Sequence, residues 1–156
     1  MTKLKSIPTL SRIIASAKVK RKKIVFTNGC FDILHVGHVE YLSKARKMGD
    51  VLVIGLNSDG SVRRLKGKSR PINKEADRAK VLSALSCVDF VAIFNEDTPE
   101  LLVRKIKPDI IVKGSDWKGK EIAGVDFIKS YGGALRLVRL VAGHSTTSVL
   151  KKAGKK

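Results

Sequence analysis

Cysteine is scarce in this chain. There are two, Cys30 and Cys87, far apart and without a C-x-x-C pair. No disulfide framework can be drawn from them, and a reducing compartment, the cytoplasm, is the expected location. Aromatic residues make up only 5% of the sequence, and no RNA-binding signature with paired aromatics occurs. Acidic residues number 14 against 32 Lys and Arg, a formal charge of +18. Such a charge calls for an anionic partner, and nucleic acid, an acidic surface or a small polyphosphate would all satisfy it. Long hydrophobic runs are missing, and the N-terminal apolar stretch is broken by Arg12, too short for a signal core or a membrane span. There is no G-x-G-x-x-G. The P-loop-like "GSDWKGKE" (114–121) has Glu121 where Ser or Thr should hold a metal.

What is present alternates. Residues 1–22 form an N-terminal extension expected to be an amphipathic helix, with Leu10, Ile13, Ile14 and Ala17 on one face. The remainder, 23–156, reads as one domain. Buried strands are expected at 23–28, 51–57, 88–94, 109–114 and 135–142. Helices are expected at 37–48, 74–85, 99–106 (capped by Asp97 or Thr98), near 122–131, and from Ser145 or Thr146 onward. Residues 58–73 are polar, basic and Gly-containing, and read as a mobile loop around a short helical turn. Strands that are apolar along their length and alternate with helices imply an α/β protein, a doubly wound parallel sheet covered on both faces. Its ligands would bind beyond the carboxyl ends of the strands.

Two of the chain's three histidines fall in "FTNGCFDILHVGH" (26–38), where the first strand ends. A metal site would need Cys30 and His144 to join His35 and His38, and the H-E-x-x-H pattern is absent. Core packing is the plain alternative. A phosphate-binding turn accounts for more. Gly29 permits close backbone approach. Gly37 marks a helix start, whose free N–H groups and dipole favour an anion, and His35 and His38 add side-chain donors there.

The stretch "GCFDILHVGHVEYLSKARKMGDVLVIGLNSD" strongly resembles the cytidylyltransferase-like nucleotidyltransferases, with every fixed position of G-x-F-D-x-x-H-x-G-H present. "GSDW" (114–117) matches a second mark of that family. "GHSTTS" (143–148) matches part of a third, without its upstream arginine, for which Arg139 is a poor positional substitute. The resemblance runs from residue 22 to about residue 152. Within the family, "GLNSDGSVRRLKGKSRPIN", "NEDTPELL" and "VKGSDWKGKEIAG" look like the heptose 1-phosphate adenylyltransferases. Glycerol 3-phosphate cytidylyltransferases and FAD synthetases share parts of the pattern, and a basic nucleic-acid-binding module is the non-enzymatic alternative.

The resemblance implies a Rossmann-like nucleotidyltransferase fold and transfer of AMP from ATP, accompanied by Mg²⁺, to a sugar 1-phosphate. It assigns catalysis to His35, His38, Lys66, Lys68 and Arg78. Nucleotide contacts fall to Asn28, Gly29, Cys30, Phe31 and Asp32, to Lys113, Gly114 and Asp116, and to Ser145, Thr146 and Thr147. Substrate contacts fall to Asp32, Asn57, Asp59 and Lys66, and no protein-held metal is implied. A homodimer without membrane or nucleic-acid partners is expected. Trp117 is either a wall of the base pocket or a capping aromatic, and His144 carries no role.

Overall fold

Five apolar segments become strands: β1 (Ile24–Gly29), β2 (Val51–Asn57), β3 (Phe90–Phe94), β4 (Ile110–Gly114) and β5 (Ala134–Val138). In the computed structural model, which describes residues 2–154, they form one sheet in the order β3-β2-β1-β4-β5. Every pairing is parallel. The chain runs outward from β1 to β3, then returns to the other side of β1. The order therefore reverses between β1 and β4, and the loops leaving those two strands part to open a crevice.

Alternate strand residues feed opposite faces. Val25, Leu52, Ile54 and Val112 pack with Leu42, Ala45 and Leu82 of α2 (Val36–Arg46) and α4 (Glu75–Ala84). Ile24, Phe26, Val53 and Ile111 pack on the other side. Their partners come from α1 (Ile7–Val19), α5 (Glu100–Ile106) and α6 (Val125–Lys129). The expected N-terminal helix is α1, with Leu10 and Ile14 fully inside that second core. The backbone of Lys3 and Lys5 also bonds to Val91 at the sheet edge, so the 1–22 segment is packed on the domain. Met1 and the final two lysines of the basic tail lie outside the described residues.

Two expectations change. Residues 59–66 are not a loop around one turn but an eight-residue helix, α3 (Asp59–Lys66). Ser58 caps it through its hydroxyl, and Ser61 and Val62 are buried beneath it. The last strand stops at Val138 rather than running to 142. Beyond it, Leu140 and Val141 leave the sheet to wall the crevice. The C-terminal helix, α7, covers Thr146–Gly154.

Candidate active site

The carboxyl end of β1 makes a sharp turn. Phe31 sits at φ 43°, a left-handed conformation that a bulky residue adopts only under constraint. The turn sends the Phe31 ring against the edge of His38, with centroids 5.3 Å apart. His38 in turn stacks on His35 at 3.9 Å. His35 is the N-cap residue of α2 but makes no side-chain cap bond, so the first amides of that helix stay open toward the crevice. The Nδ1 atoms of His35 and His38 are both buried without a hydrogen-bond partner. Burial, and secondarily the neighbouring His35, lowers the His38 pKa to about 4. Burial, then His144, lowers that of His35. Both imidazoles are therefore neutral near pH 7, each with one N–H to donate.

Gly37 suits this packing. A Cβ there would stand 3.0 Å from the His35 ring and 3.2 Å from the Cβ of His144. His144, which the sequence left without a role, thus closes over the helix start from the α7 side.

Asp32 borders the crevice and also reaches into the basic loop. Its carboxylate accepts hydrogen bonds from Arg70 Nε (2.6 Å) and the amides of Ile72 and Asn73 (2.9 Å each). Its carbonyl accepts from Asn73 Nδ2. Burial alone would raise this carboxyl, but the bonds from Asn73, Ile72 and Arg70 outweigh it and hold the pKa below the usual value. Asp32 therefore fastens the loop that follows α3. Lys66 and Arg70 of that region reach the crevice wall, whereas Lys68 is exposed and lies off it. Arg70 was missed by sequence reasoning; its signal is its place in the same basic run.

Arg78 departs most from expectation. The family resemblance assigns it to catalysis. It is only 2% exposed. Its guanidinium donates to the carbonyls of Asn73, Cys30 and Asn57 and to the carboxylate of Asp59. With these donors engaged and the side chain off the crevice wall, it organises the site rather than touching a ligand. Asp59, paired with Arg78 and with the Glu75 amide, also faces away from the main crevice. The Cys30 thiol borders the crevice, and burial pushes its pKa up, so it stays protonated.

On the β4 side, Lys113 is buried and donates to Asn28 Oδ1 at 2.7 Å. Its Nζ lies 4.9 Å from the centroid of the Trp117 ring, which makes Trp117 part of the crevice wall. Gly114 admits the close turn: a Cβ there would meet Asp116 Oδ1 at 2.4 Å. Burial lowers the Lys113 pKa to about 8, against the opposing pull of Asp116. The ammonium is charged below that pH and neutral above it. kcat/KM for the nucleotide, which reports the free enzyme, is expected to fall above pH about 8. Lys113→Arg should abolish that limb, because arginine stays charged; a limb that persists unchanged assigns it to another group.

At the start of α7, Ser145 Oγ accepts from the Ser148 amide and Ser148 Oγ accepts from the Ser145 amide, both at 3.0 Å. Ser145 thus serves as a cap and, with Thr146 and Thr147, borders the crevice. Arg139 is exposed and is not on the crevice wall. Tyr41 was also missed. It is buried at the crevice floor, with its hydroxyl bonded to Thr27 and donating to the Val112 carbonyl. All these elements enclose a cavity of about 750 Å³, within the range for small-molecule sites. Among the described residues, no three His, Cys, Asp or Glu side chains cluster as a metal site would require.

The cytidylyltransferase-like family model matches residues 26–148. Over 150 residues the chain is 55% identical to Bifunctional protein HldE of Geobacter metallireducens and 58% identical to Bifunctional protein HldE of Campylobacter concisus. In each case the match covers 96% of this chain. The chain spans only 31% and 30% of the length of those curated relatives. Among solved structures, the lipopolysaccharide core biosynthesis protein of Thermoplasma volcanium superposes with a TM-score of 0.63 at 37% identity, covering 77% of this chain and 97% of that one. Pantoate-beta-alanine ligase of Francisella tularensis superposes with a TM-score of 0.62 at 16% identity, covering 97% of this chain and 73% of that one, which shows a shared fold. A parallel sheet that opens beside β1, a paired-histidine turn at that opening and this family match agree: the chain belongs to the cytidylyltransferase-like family and is a nucleotidyltransferase.

Proposed function

We propose that this protein transfers AMP from ATP to a sugar 1-phosphate, heptose 1-phosphate, giving ADP-heptose and pyrophosphate. The observation that carries this reading is the pair of buried, unpartnered imidazole nitrogens beside the open N-terminus of α2. Such a place lacks only an anion to accept their hydrogen bonds. The subfamily reading is supported by the identity to the HldE proteins and by the solved neighbour's lipopolysaccharide core role.

In the proposed reaction a phosphate oxygen of the acceptor forms a bond to the α-phosphorus of ATP. The bond from that phosphorus to the bridging oxygen breaks, and pyrophosphate leaves with the electron pair. The attacking oxygen is already anionic, so no strong base is needed. The residues have to bring two polyanions together and stabilise the charge on the transferred group. His35, His38 and the α2 amides face the phosphates. Lys113, Gly114 and Trp117 border the base and ribose. Lys66 and Arg70 approach from the loop that Asp32 holds. Among the described residues, the donor set contains no cluster able to hold a metal alone. A Mg²⁺ ion arriving with ATP would take phosphate oxygens and water as ligands and would neutralise triphosphate charge. A homodimer located in the cytoplasm completes the reading. No helix among the described residues is long and apolar enough to cross a membrane.

The test is pyrophosphate release from ATP and from CTP, each with heptose 1-phosphate, glycerol 3-phosphate and FMN. Release with ATP and heptose 1-phosphate is expected to exceed that with every other pair. Release with CTP and glycerol 3-phosphate would keep the site and move the substrates. No release with any pair, together with salt-dependent RNA or DNA binding that survives His35→Ala, would favour the nucleic-acid module.

A further inference from the structure

The segment Asn95-Glu96-Asp97-Thr98-Pro99 has no part in the chemistry above. The sequence expects Asp97 or Thr98 to cap α5. In the structure the cap position belongs to Pro99, and no side-chain cap bond is made. Asp97 and Thr98 are instead exposed and border the main cavity.

Their positions are fixed from behind. Ser58 Oγ donates to Asn95 Oδ1 at 2.6 Å, and Ser61 Oγ donates to the Glu96 carbonyl at 2.9 Å. Arg64 Nε donates to Asp97 Oδ1 at 2.7 Å, and Arg64 also bonds the Asn95 carbonyl. Only one carboxylate oxygen of Asp97 is engaged, which leaves Oδ2 to a ligand. Asn57, 3% exposed, joins the same network. Its Nδ2 donates to Ser61 Oγ at 2.9 Å. That bond fixes the amide and leaves its oxygen without a protein donor, on a residue that borders the cavity.

Rigidly held acceptors of this kind suit hydroxyl donors. They lie at the carboxyl ends of β2 and β3, whereas Lys113, Gly114 and Trp117 follow β4. The histidine pair, after β1, stands between the two groups. The strand order therefore gives the cavity two ends. Lys66, on the same cavity wall, can meet an acceptor phosphate, and the Asp97 carboxylate in that wall disfavours a second anionic group.

We propose that Asn57, Asp97 and Thr98 form an acceptor subsite that reads the hydroxyl groups of a polyhydroxylated sugar phosphate. This inference rests on the adenylyl-transfer reading above. The test is steady-state pyrophosphate release by the full chain and by its Asp97→Asn and Thr98→Val variants. Heptose 1-phosphate and glycerol 3-phosphate serve as acceptors, with ATP varied separately.

Each substitution is expected to raise the KM for heptose 1-phosphate about tenfold, the effect of one lost hydroxyl contact. The KM for ATP should stay within about twofold, since a binding contact at one end need not touch the other. The kcat/KM preference for heptose 1-phosphate over glycerol 3-phosphate should shrink. A merely structural role for the segment would lower both acceptors and ATP together, and that result overturns the subsite. Unchanged acceptor kinetics in variants of an active wild-type enzyme would overturn it while leaving adenylyl transfer intact. A wild type that turns over none of these acceptors removes the underlying reading as well.

Discussion

His38→Ala is expected to lower kcat by about 10² or more, the loss typical of removing one preorganised donor from developing charge. The imidazole is held by the stack on His35 and by the edge of Phe31, so it does not reorganise as the reaction proceeds. It is also kept neutral, its pKa lowered to about 4 by burial and then by His35. A neutral ring donates one hydrogen bond across the working pH range. His38→Gln should recover part of the rate, because it restores a donor without the ring. The same depressed pKa has a stability signature. The unfolded chain binds a proton near the ordinary value of 6.5, which the folded chain refuses until about 4. Stability is thus full above pH 6.5 and is lost as pH falls through that window. His38→Gln should flatten this part of a plot of Tm against pH. A turnover within threefold of wild type for His38→Ala would remove the histidine from the chemistry.

Arg78→Met is expected to destabilise the fold by about 3–5 kcal/mol, the cost of breaking a buried charged network from one side. The methionine fills much of the space but donates nothing. The carbonyls of Cys30, Asn57 and Asn73 and the carboxylate of Asp59 would lose their donor together. Urea unfolding gives the free energy directly. A loss below about 1 kcal/mol would show that water replaces the guanidinium without penalty. Because Arg78 joins the turn after β1, the end of β2 and the loop before α4, the folded fraction should also bind substrate more weakly. Arg78→Lys keeps the charge but cannot reach four acceptors at once, and should recover only part of the stability.

By itself the sequence determined the strands and most helices, α3 excepted. Apolar runs of strand length separated by helical spacing dictate a parallel α/β sheet, because each side chain's face follows from local periodicity. It also determined the phosphate turn. Gly29, Phe31, Asp32, His35, Gly37 and His38 are close in the chain, so their spacing alone places them at one strand end and one helix start. Strand order is not local, and everything that depends on it was decided by the tertiary structure. The order β3-β2-β1-β4-β5 brings Asp32 to Arg70, Ile72 and Asn73, Arg78 to Cys30 and Asn57, and Lys113 to Asn28. These partners lie 21 to 85 residues apart. The same order makes Asp32 a loop anchor as well as part of the cavity wall, and turns Arg78 from a catalytic candidate into a structural hub. It also turns Asp97 and Thr98 from helix caps into cavity wall. A buried polar group must find its partner wherever the fold brings one near, and no spacing along the chain records that choice.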